Sequence, residues 1–136
     1  MSERITVHLN ENPVYDIVLE HSFDRLAKEA APFTEGRRVC IVTDSNVAGL
    51  YLEEVSSAMK PHCSEVTSFV FPAGEEHKNL DTVRRLYESL ILARFDRKDI
   101  LVALGGGVVG DLCGFAAATY LRGISFIQIL QLCFLR

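Results

Sequence analysis

The sequence predicts an α/β protein, a doubly wound and mostly parallel sheet preceded by a β-hairpin. From residue 37 onwards, short apolar runs alternate with longer segments of helical periodicity, which is typical of parallel strands joined by helices. A glycine run directly follows one of the apolar runs, at a predicted strand–helix junction. The 136 residues, 49% hydrophobic and 24% charged, suit one folded domain.

The first third of the chain predicts a hairpin and then a helix. Apolar and polar residues alternate over 5–9 and again over 15–19, and Asn10-Glu11-Asn12-Pro13 between them has turn chemistry. Ser22 offers an N-cap for a helix over 23–33, which has Pro32 near its end.

The remaining chain predicts strands and helices in strict alternation. Strands are expected over 39–42, 66–71, 100–104 and 125–130, because each is a short and largely apolar run. Helices are expected from Asp44-Ser45-Asn46 to about residue 60, over 80–95, and from the glycine run to residue 121. No internal repeat or linker interrupts this order.

The distribution of charged and apolar residues argues against several classes of protein. The net charge is −4 and no basic stripe is present, which argues against nucleic-acid binding. The apolar stretch 112–135 is interrupted by Arg122-Gly123, and each part is too short to span a membrane. The first residues lack the apolar run of a signal peptide. We therefore expect a cytoplasmic protein.

The cysteines and histidines show no metal-ligand spacing. None of the 4 cysteines is paired in a CxxC motif, and three of them lie in apolar stretches, which favours buried free thiols. The histidines are dispersed and are expected on the surface or in loops. We predict no metal ligand among these residues: Cys40, Cys63, Cys113, Cys133, His8, His21, His62 and His77.

The glycine run is the strongest functional signal. Gly105, Gly107 and Gly110 satisfy G-x-G-x-x-G between a predicted strand and a predicted helix. Glycine lets a backbone approach a pyrophosphate, and the helix N-terminus offers free N–H groups and the positive end of its dipole. A glycine-rich turn that serves only packing remains the alternative.

An ordinary dinucleotide fold places an acidic residue about 20 residues after the glycine run, to bind ribose hydroxyls. No Asp or Glu follows Asp111 in this sequence. Asp44, at the carboxyl end of the predicted strand 39–42, is the nearest candidate. It is also a good helix N-cap, and both roles could coexist.

A second cluster, Pro72-Ala73-Gly74-Glu75-Glu76-His77-Lys78, follows the next predicted strand. Gly74 permits close backbone approach, while Glu75 and Lys78 supply an acceptor and a cation. A charged loop before a helix has the same composition, so this cluster alone does not indicate a site.

Together these segments resemble the 3-dehydroquinate synthase family. Thr43-Asp44-Ser45-Asn46-Val47 matches its T-[DN]-x-x-[VL], and residues 72–78 match its P-x-G-E-x-x-K. Residues 103–128 reproduce its string A-L-G-G-G-V-V-G-D-L-x-G-F-A-A-A-x-Y-x-R-G-[IV]-x-F-I-Q. The resemblance spans residues 4–129 and implies the Rossmann-like N-terminal domain of that family.

The resemblance implies a lyase of the shikimate pathway, and so of aromatic amino acid biosynthesis. Such an enzyme converts a phosphorylated sugar acid, 3-deoxy-arabino-heptulosonate 7-phosphate, to 3-dehydroquinate, using NAD and a zinc or cobalt ion, as a homodimer. NAD would contact Asp44, the segment Ala73, Gly74, Glu75, Glu76, His77 and Lys78, and the segment Gly106, Gly107, Val108, Val109, Gly110 and Asp111. Arg122 would be a candidate for binding the substrate phosphate, within one chain or across a dimer interface, although a helix C-terminal cation before Gly123 is at least as good an alternative.

The resemblance stops near residue 130. The family continues with P-T-T-L-L-[SA]-Q-V-D and later a helical metal-binding domain, whereas this chain reads Leu130-Gln131-Leu132-Cys133-Phe134-Leu135-Arg136. Deleting one nucleotide from a proline codon would convert I-P-T-T-L-L-S-Q-V into this tail followed by a stop, for codons that the genetic code permits. We expect 1–129 to be an incomplete NAD-binding domain, 130–136 to be a frameshifted tail, and the chain to be inactive alone.

Three other functions remain open at the level of sequence. Inosose and valiolone synthases share the glycine string, and the helical domain that distinguishes them lies outside the resemblance. Proteins like glycerol dehydrogenase share the fold but lack the G-D-L-x-G-F-x-A continuation. The third alternative is a nucleotide-binding or dimerising remnant without turnover.

Overall fold

A computed structural model describes residues 3–19 and 25–130. Its strands and α-helices follow the predicted order, with short π and 3₁₀ segments between them. They are β1 Glu3–Leu9, β2 Asn12–Leu19, α1 Leu26–Thr34, β3 Arg38–Asp44, α2 Ser45–Val47, α3 Glu53–Met59, β4 Glu65–Phe71, α4 Leu80–Leu92, β5 Ile100–Leu104, α5 Gly107–Thr119 and β6 Ser125–Ile129. The predicted tail, apart from Leu130, lies outside the described residues.

β1 and β2 form the predicted antiparallel hairpin as a separate two-stranded sheet. Its turn is Asn10-Glu11 rather than the expected four residues, because β2 already begins at Asn12. Both turn residues have left-handed backbones, with φ of 53° and 69°. Two such residues match the right-handed twist of the flanking strands. Arg4 forms an ion pair with Glu29 that ties the hairpin to α1.

The predicted start of α1 was wrong. The helix begins at Leu26 rather than residue 23, and Arg25 holds the N-cap position without a side-chain cap hydrogen bond. Ser22, the predicted cap, lies outside the described residues. Apolar periodicity, rather than cap chemistry, therefore marks this helix.

The remaining strands form one parallel sheet in the order β4-β3-β5-β6. The chain adds β4 on one side of β3 and then crosses back to place β5 on the other side. The topological switch point, where ligands of open α/β sheets bind, therefore lies between the carboxyl ends of β3 and β5. The doubly wound prediction is confirmed.

Helices cover both faces of this sheet. Alternate residues of β3 and β5 point to opposite sides, so Cys40 and Val42 pack with α4 and α5, while Val39 and Ile41 pack with α1 and α3. β3 and β5 are buried throughout except at the two ends of β3. The continuous apolar runs in the sequence arise because both faces are covered.

Two helices end earlier than predicted. α4 ends at Leu92 rather than residue 95, and α5 ends at Thr119 rather than 121. Arg94, Leu121 and Arg122 have positive φ, which terminates a helix even when the apolar pattern continues. Among the described helices, none is long and apolar enough to cross a membrane.

The cysteine prediction is confirmed where the structure describes it. Cys40 and Cys113 are buried free thiols and Cys63 is half-buried. Cys133, the other cysteine in an apolar stretch, lies outside the described residues.

Candidate functional site

Three segments that the sequence singled out meet at the carboxyl edge of the parallel sheet. Asp44 ends β3, residues 72–78 follow β4, and Gly105-Gly106 follow β5. The register pairs Asp44 with Phe71 across β3 and β4, and Thr43 with Leu104 across β3 and β5. The candidate site is therefore the switch point itself.

Asp44 is the N-cap of α2. Its Oδ1 accepts a hydrogen bond from the backbone N–H of Val47 at 2.9 Å, and its backbone is extended. The capping role is therefore present, and it occupies only one carboxylate oxygen. Oδ2 is not used by this bond, so a ligand role at the half-buried Asp44 remains compatible with the cap.

The segment after β4 is tied to the start of α2. The Ala73 N–H donates to Ser45 Oγ at 3.0 Å. Gly74 has φ of 128°, a backbone conformation that residues with a side chain rarely adopt, so glycine is required. Glu75–His77 then form a 3₁₀ turn that leads to Asn79, the N-cap of α4. This loop has a defined shape rather than being an open charged turn.

Lys78 links this loop to α5. Its Nζ lies 2.9 Å from Asp111 Oδ2 and 3.7 Å from Glu75 Oε1. The hydrogen bond to Asp111, the charge of Asp111 and the charge of Glu75 raise the pKa of Lys78. The ammonium group therefore stays charged at the edge of the switch point.

The glycines of the run have two different roles. Gly105 has φ of 145°, and a Cβ there would lie 2.9 Å from Val109 Cγ2. A Cβ at Gly110 would meet only the amide end of the exposed Gln128 side chain of β6, which can move aside. The packing alternative therefore holds for Gly105, which allows the close approach of α5 to the sheet.

Gly106 and Gly107 have no such reason to be glycine. A Cβ at either position would meet nothing within 4 Å, and neither has a positive φ. Gly106 is the N-cap of α5 and makes no side-chain cap hydrogen bond. Open space in front of an uncapped helix N-terminus fits an anionic ligand such as a pyrophosphate.

Val108 and Val109 contribute differently from the other predicted site residues. The Val109 side chain is buried in the core under Gly105, and Val108 is half-buried against the same core. A cofactor at this turn would meet their backbone rather than a freely exposed side chain.

Arg122 lies apart from these loops. α5 has 13 residues, so its C-terminal end is about 20 Å from the glycine turn. The neighbouring Tyr120 donates its hydroxyl to the Phe95 carbonyl at 3.0 Å, which places this end near the amino edge of the sheet. Within one chain Arg122 does not join the candidate site, and a left-handed Arg122 followed by Gly123 terminates the helix.

Sequence reasoning missed three supporting residues. The fully buried Thr43 donates its hydroxyl to the Leu104 carbonyl at 2.7 Å and joins β3 to β5 beside the switch point. Ser45 holds Ala73, and Gln128 packs over Gly110. Thr43 and Ser45 flank Asp44, so their positions in the sequence next to a candidate site residue could have indicated them.

No metal centre is formed by the described residues. Within 3–19 and 25–130, no three His, Cys, Asp or Glu side chains are grouped so that they could hold an ion. His8 is exposed, His62 and His77 are half-buried, and His21 lies outside the described part of the chain. The donor set present therefore does not fit a zinc or cobalt site.

Comparison with known proteins finds similarity to one family of enzymes. Residues 68–132 match the family described as 3-dehydroquinate synthase N-terminal. The 3-dehydroquinate synthase of Pelobacter propionicus is 44% identical over 92% of this chain, and that of Streptococcus suis is 45% identical over 93%. The chain is homologous to the N-terminal region of 3-dehydroquinate synthases. It spans about a third of the length of these relatives, 35% and 36%.

Solved structures of sugar-phosphate cyclases share the fold of this 3-dehydroquinate synthase homologue. A 2-deoxy-scyllo-inosose synthase complexed with carbaglucose-6-phosphate, NAD⁺ and Co²⁺ has a TM-score of 0.78 at 26% identity, covering 96% of this chain and 34% of that one. A 2-epi-5-epi-valiolone synthase from Streptomyces hygroscopicus with NAD⁺ and Zn²⁺ has a TM-score of 0.63 at 30% identity, covering 71% and 27%. A glycerol dehydrogenase from Schizosaccharomyces pombe, at 14% identity and a TM-score of 0.58, covers 76% and 25% and shows the fold alone.

Proposed function

We propose that this chain provides the pyrophosphate-binding wall of the NAD site of a 3-dehydroquinate synthase. The observation that carries the proposal is the open, uncapped N-terminus of α5 at Gly106 and Gly107, which have no packing reason to be glycine. Every α-helix begins with four N–H groups that have no acceptor within the helix, and α5 begins directly after β5, at the switch point of the sheet.

Different groups of the chain would contact different parts of the NAD molecule. The Gly106–Val108 backbone holds the pyrophosphate, and Asp44 accepts hydrogen bonds from the adenosine ribose through Oδ2. Residues 73–78 line the nucleotide, and Val109, Gly110 and Asp111 lie towards its nicotinamide end. NAD, when bound, would accept a hydride from the substrate and return it later in the reaction.

The proposed reaction is the conversion of 3-deoxy-arabino-heptulosonate 7-phosphate to 3-dehydroquinate with loss of phosphate. The support is the 44% identity to a 3-dehydroquinate synthase, which exceeds the 26% and 30% identities to the inosose and valiolone synthases. Those cyclases are the second candidates, because they share the fold over as much as 96% of the chain. No step is assigned to a metal ion, since the described residues do not fit one.

We further propose that residues 1–129 form the NAD-binding domain and that the purified 136-residue chain has no turnover. The reaction needs a metal ion, and the described residues form no group that could hold one. A steady-state phosphate-release assay tests this directly. We expect a rate equal to the no-protein control; release above that control, with host enzyme excluded, would contradict it.

The frameshifted origin of residues 130–136 remains a prediction, which DNA sequencing can test. Restoring one nucleotide at the codon after Ile129 should open a frame reading P-T-T-L-L-S-Q-V-D. If no single-nucleotide restoration opens that frame, the tail has another origin.

A further inference from the structure

The Lys78–Asp111 ion pair crosses the candidate site rather than lying beside it. Lys78 belongs to the loop after β4 and Asp111 to the helix after β5. β4 and β5 are not neighbours, because β3 lies between them. The pair therefore joins the loop after β4 to the helix after β5, two elements whose strands are separated by β3.

The loop that carries Lys78 has its other anchor on the β3 side. Ala73 donates to Ser45 Oγ at 3.0 Å, so the loop is fastened at its start to α2 and at its end to α5. Between these anchors, His77 N–H donates to the Gly74 carbonyl and Lys78 N–H to the Glu75 carbonyl. The segment 72–78 is thereby fastened at both ends, and Ser45, its anchor on α2, directly follows Asp44.

The charges near Lys78 show why its main partner is Asp111. Lys78 is the one Lys or Arg in the described segments 43–47, 72–79 and 105–111, which also contain Asp44, Glu75, Glu76 and Asp111. Of these carboxylates, Asp111 is at hydrogen-bond distance, 2.9 Å, whereas Glu75 is at 3.7 Å. The stronger contact is the one that joins two separate elements.

We propose that the Lys78–Asp111 pair is a clasp that holds segment 72–78 across the switch point before any nucleotide binds. Asp111 is then a positioning residue for Lys78 and for the loop. That the clasp serves a nucleotide site rests on the proposed function; that it orders the loop does not.

Hydrogen exchange followed by mass spectrometry tests the clasp on the full chain without nucleotide. The peptide covering 72–78 is compared in the wild type, Lys78→Gln, Asp111→Asn and the double variant. We expect about threefold faster exchange in each single variant, as for loss of an exposed ion pair, and no further increase in the double variant. Asp81→Asn, which breaks the exposed pair with Arg84 on α4, is the matched control and should leave the peptide unchanged.

The dependence of exchange on salt provides a second measurement. Raising ionic strength to about 1 M, where the Debye length is about 3 Å, should speed exchange of this peptide in the wild type but not in the double variant. Three results would each overturn the clasp. The single variants could exchange as slowly as the wild type, or their effects could add in the double variant. The wild type and the double variant could also respond equally to salt. Because no nucleotide is present, loss of the NAD proposal would not alter these results.

Discussion

At the scale of single residues, neighbouring glycines in one turn have opposite requirements. Gly105 combines a φ of 145° with a Cβ position 2.9 Å from Val109 Cγ2, whereas Gly107 has a helical backbone and open space around it. A sequence motif treats both as one signal. Only the three-dimensional structure separates the glycine that packing needs from the glycine that leaves room for a ligand.

This difference predicts opposite effects of the same substitution. Gly105→Ala should lower the free energy of unfolding by about 1–3 kcal/mol, because the backbone is strained and Val109 must move. Gly107→Ala should raise it by about 0.5 kcal/mol, because alanine favours a helix over glycine. Urea unfolding of both variants measures this. Equal destabilisation of both would show that the turn is packed throughout.

The buried hydrogen bond of Thr43, beside the site, should contribute to the stability of the fold. Its hydroxyl donates to the Leu104 carbonyl at 2.7 Å and is fully buried. Thr43→Val keeps the shape but leaves this carbonyl with one partner fewer, so we expect a loss of about 1–2 kcal/mol in the free energy of unfolding. Thermal or urea denaturation that matches the wild type would show that the hydroxyl is not needed.

At the scale of elements, the sequence predicted every strand of the parallel sheet but not every helix boundary. β3 and β5 are short apolar runs covered on both faces, so composition alone marked them. The early ends of α4 and α5 depend on left-handed residues that are not glycine, Arg94 and Leu121, whose φ the sequence does not show. The loop 72–78 was found, but its contacts with Ser45 and Asp111 arise from strand order, which periodicity does not specify.

The exposed edge of strand β6 leads us to expect self-association of the chain. Phe126 on β6 and Phe115 on α5 are 41% and 47% exposed, and β6 has a neighbour on one side only among the described strands. An apolar surface next to an unpaired strand edge favours association. We expect the chain to elute as dimers or larger species on size exclusion at tens of micromolar.

Phe126→Lys should shift this elution towards the monomer, because a lysine on an edge strand opposes pairing. Leu50→Lys is the matched control: Leu50 is 71% exposed and belongs to the π-helical turn after α2 rather than to β6 or α5. A sharp monomer peak for the wild type, or the same shift in both variants, would contradict a role for β6.

At the scale of the whole molecule, buried thiols predict a loss of stability at alkaline pH. Burial raises the pKa of Cys40 from 9.0 to about 11, and burial also raises the pKa of Cys113. A group with a raised pKa stabilises the fold below its unfolded pKa, and this contribution falls as pH rises towards the folded value. Cys40 alone should lower the free energy of unfolding by about 1.4 kcal/mol between about pH 8 and pH 10. Urea unfolding that gives one stability at both pH values would contradict the buried thiols.

In the proposed function, the described residues supply one wall of the NAD site. It corresponds to about a third of the length of its curated relatives, and Arg122 lies at the end of α5 far from the glycine turn. A dinucleotide held by one wall should bind weakly, with a dissociation constant on the order of a millimolar. Titration calorimetry that gives a low-micromolar constant would show that this wall is sufficient.

The most direct test of the central claim is an NMR titration of the chain with NAD. We expect the largest amide shift changes at Gly106, Gly107 and Val108, with smaller ones near Asp44. Gly107→Val, whose side chain would enter the open space before α5, should abolish them while the rest of the spectrum is retained. Gly49→Val, at a helical glycine with equally open surroundings, should leave them intact. Shift changes that spare the glycine turn, or that survive in Gly107→Val, would contradict the claim that α5 binds the pyrophosphate.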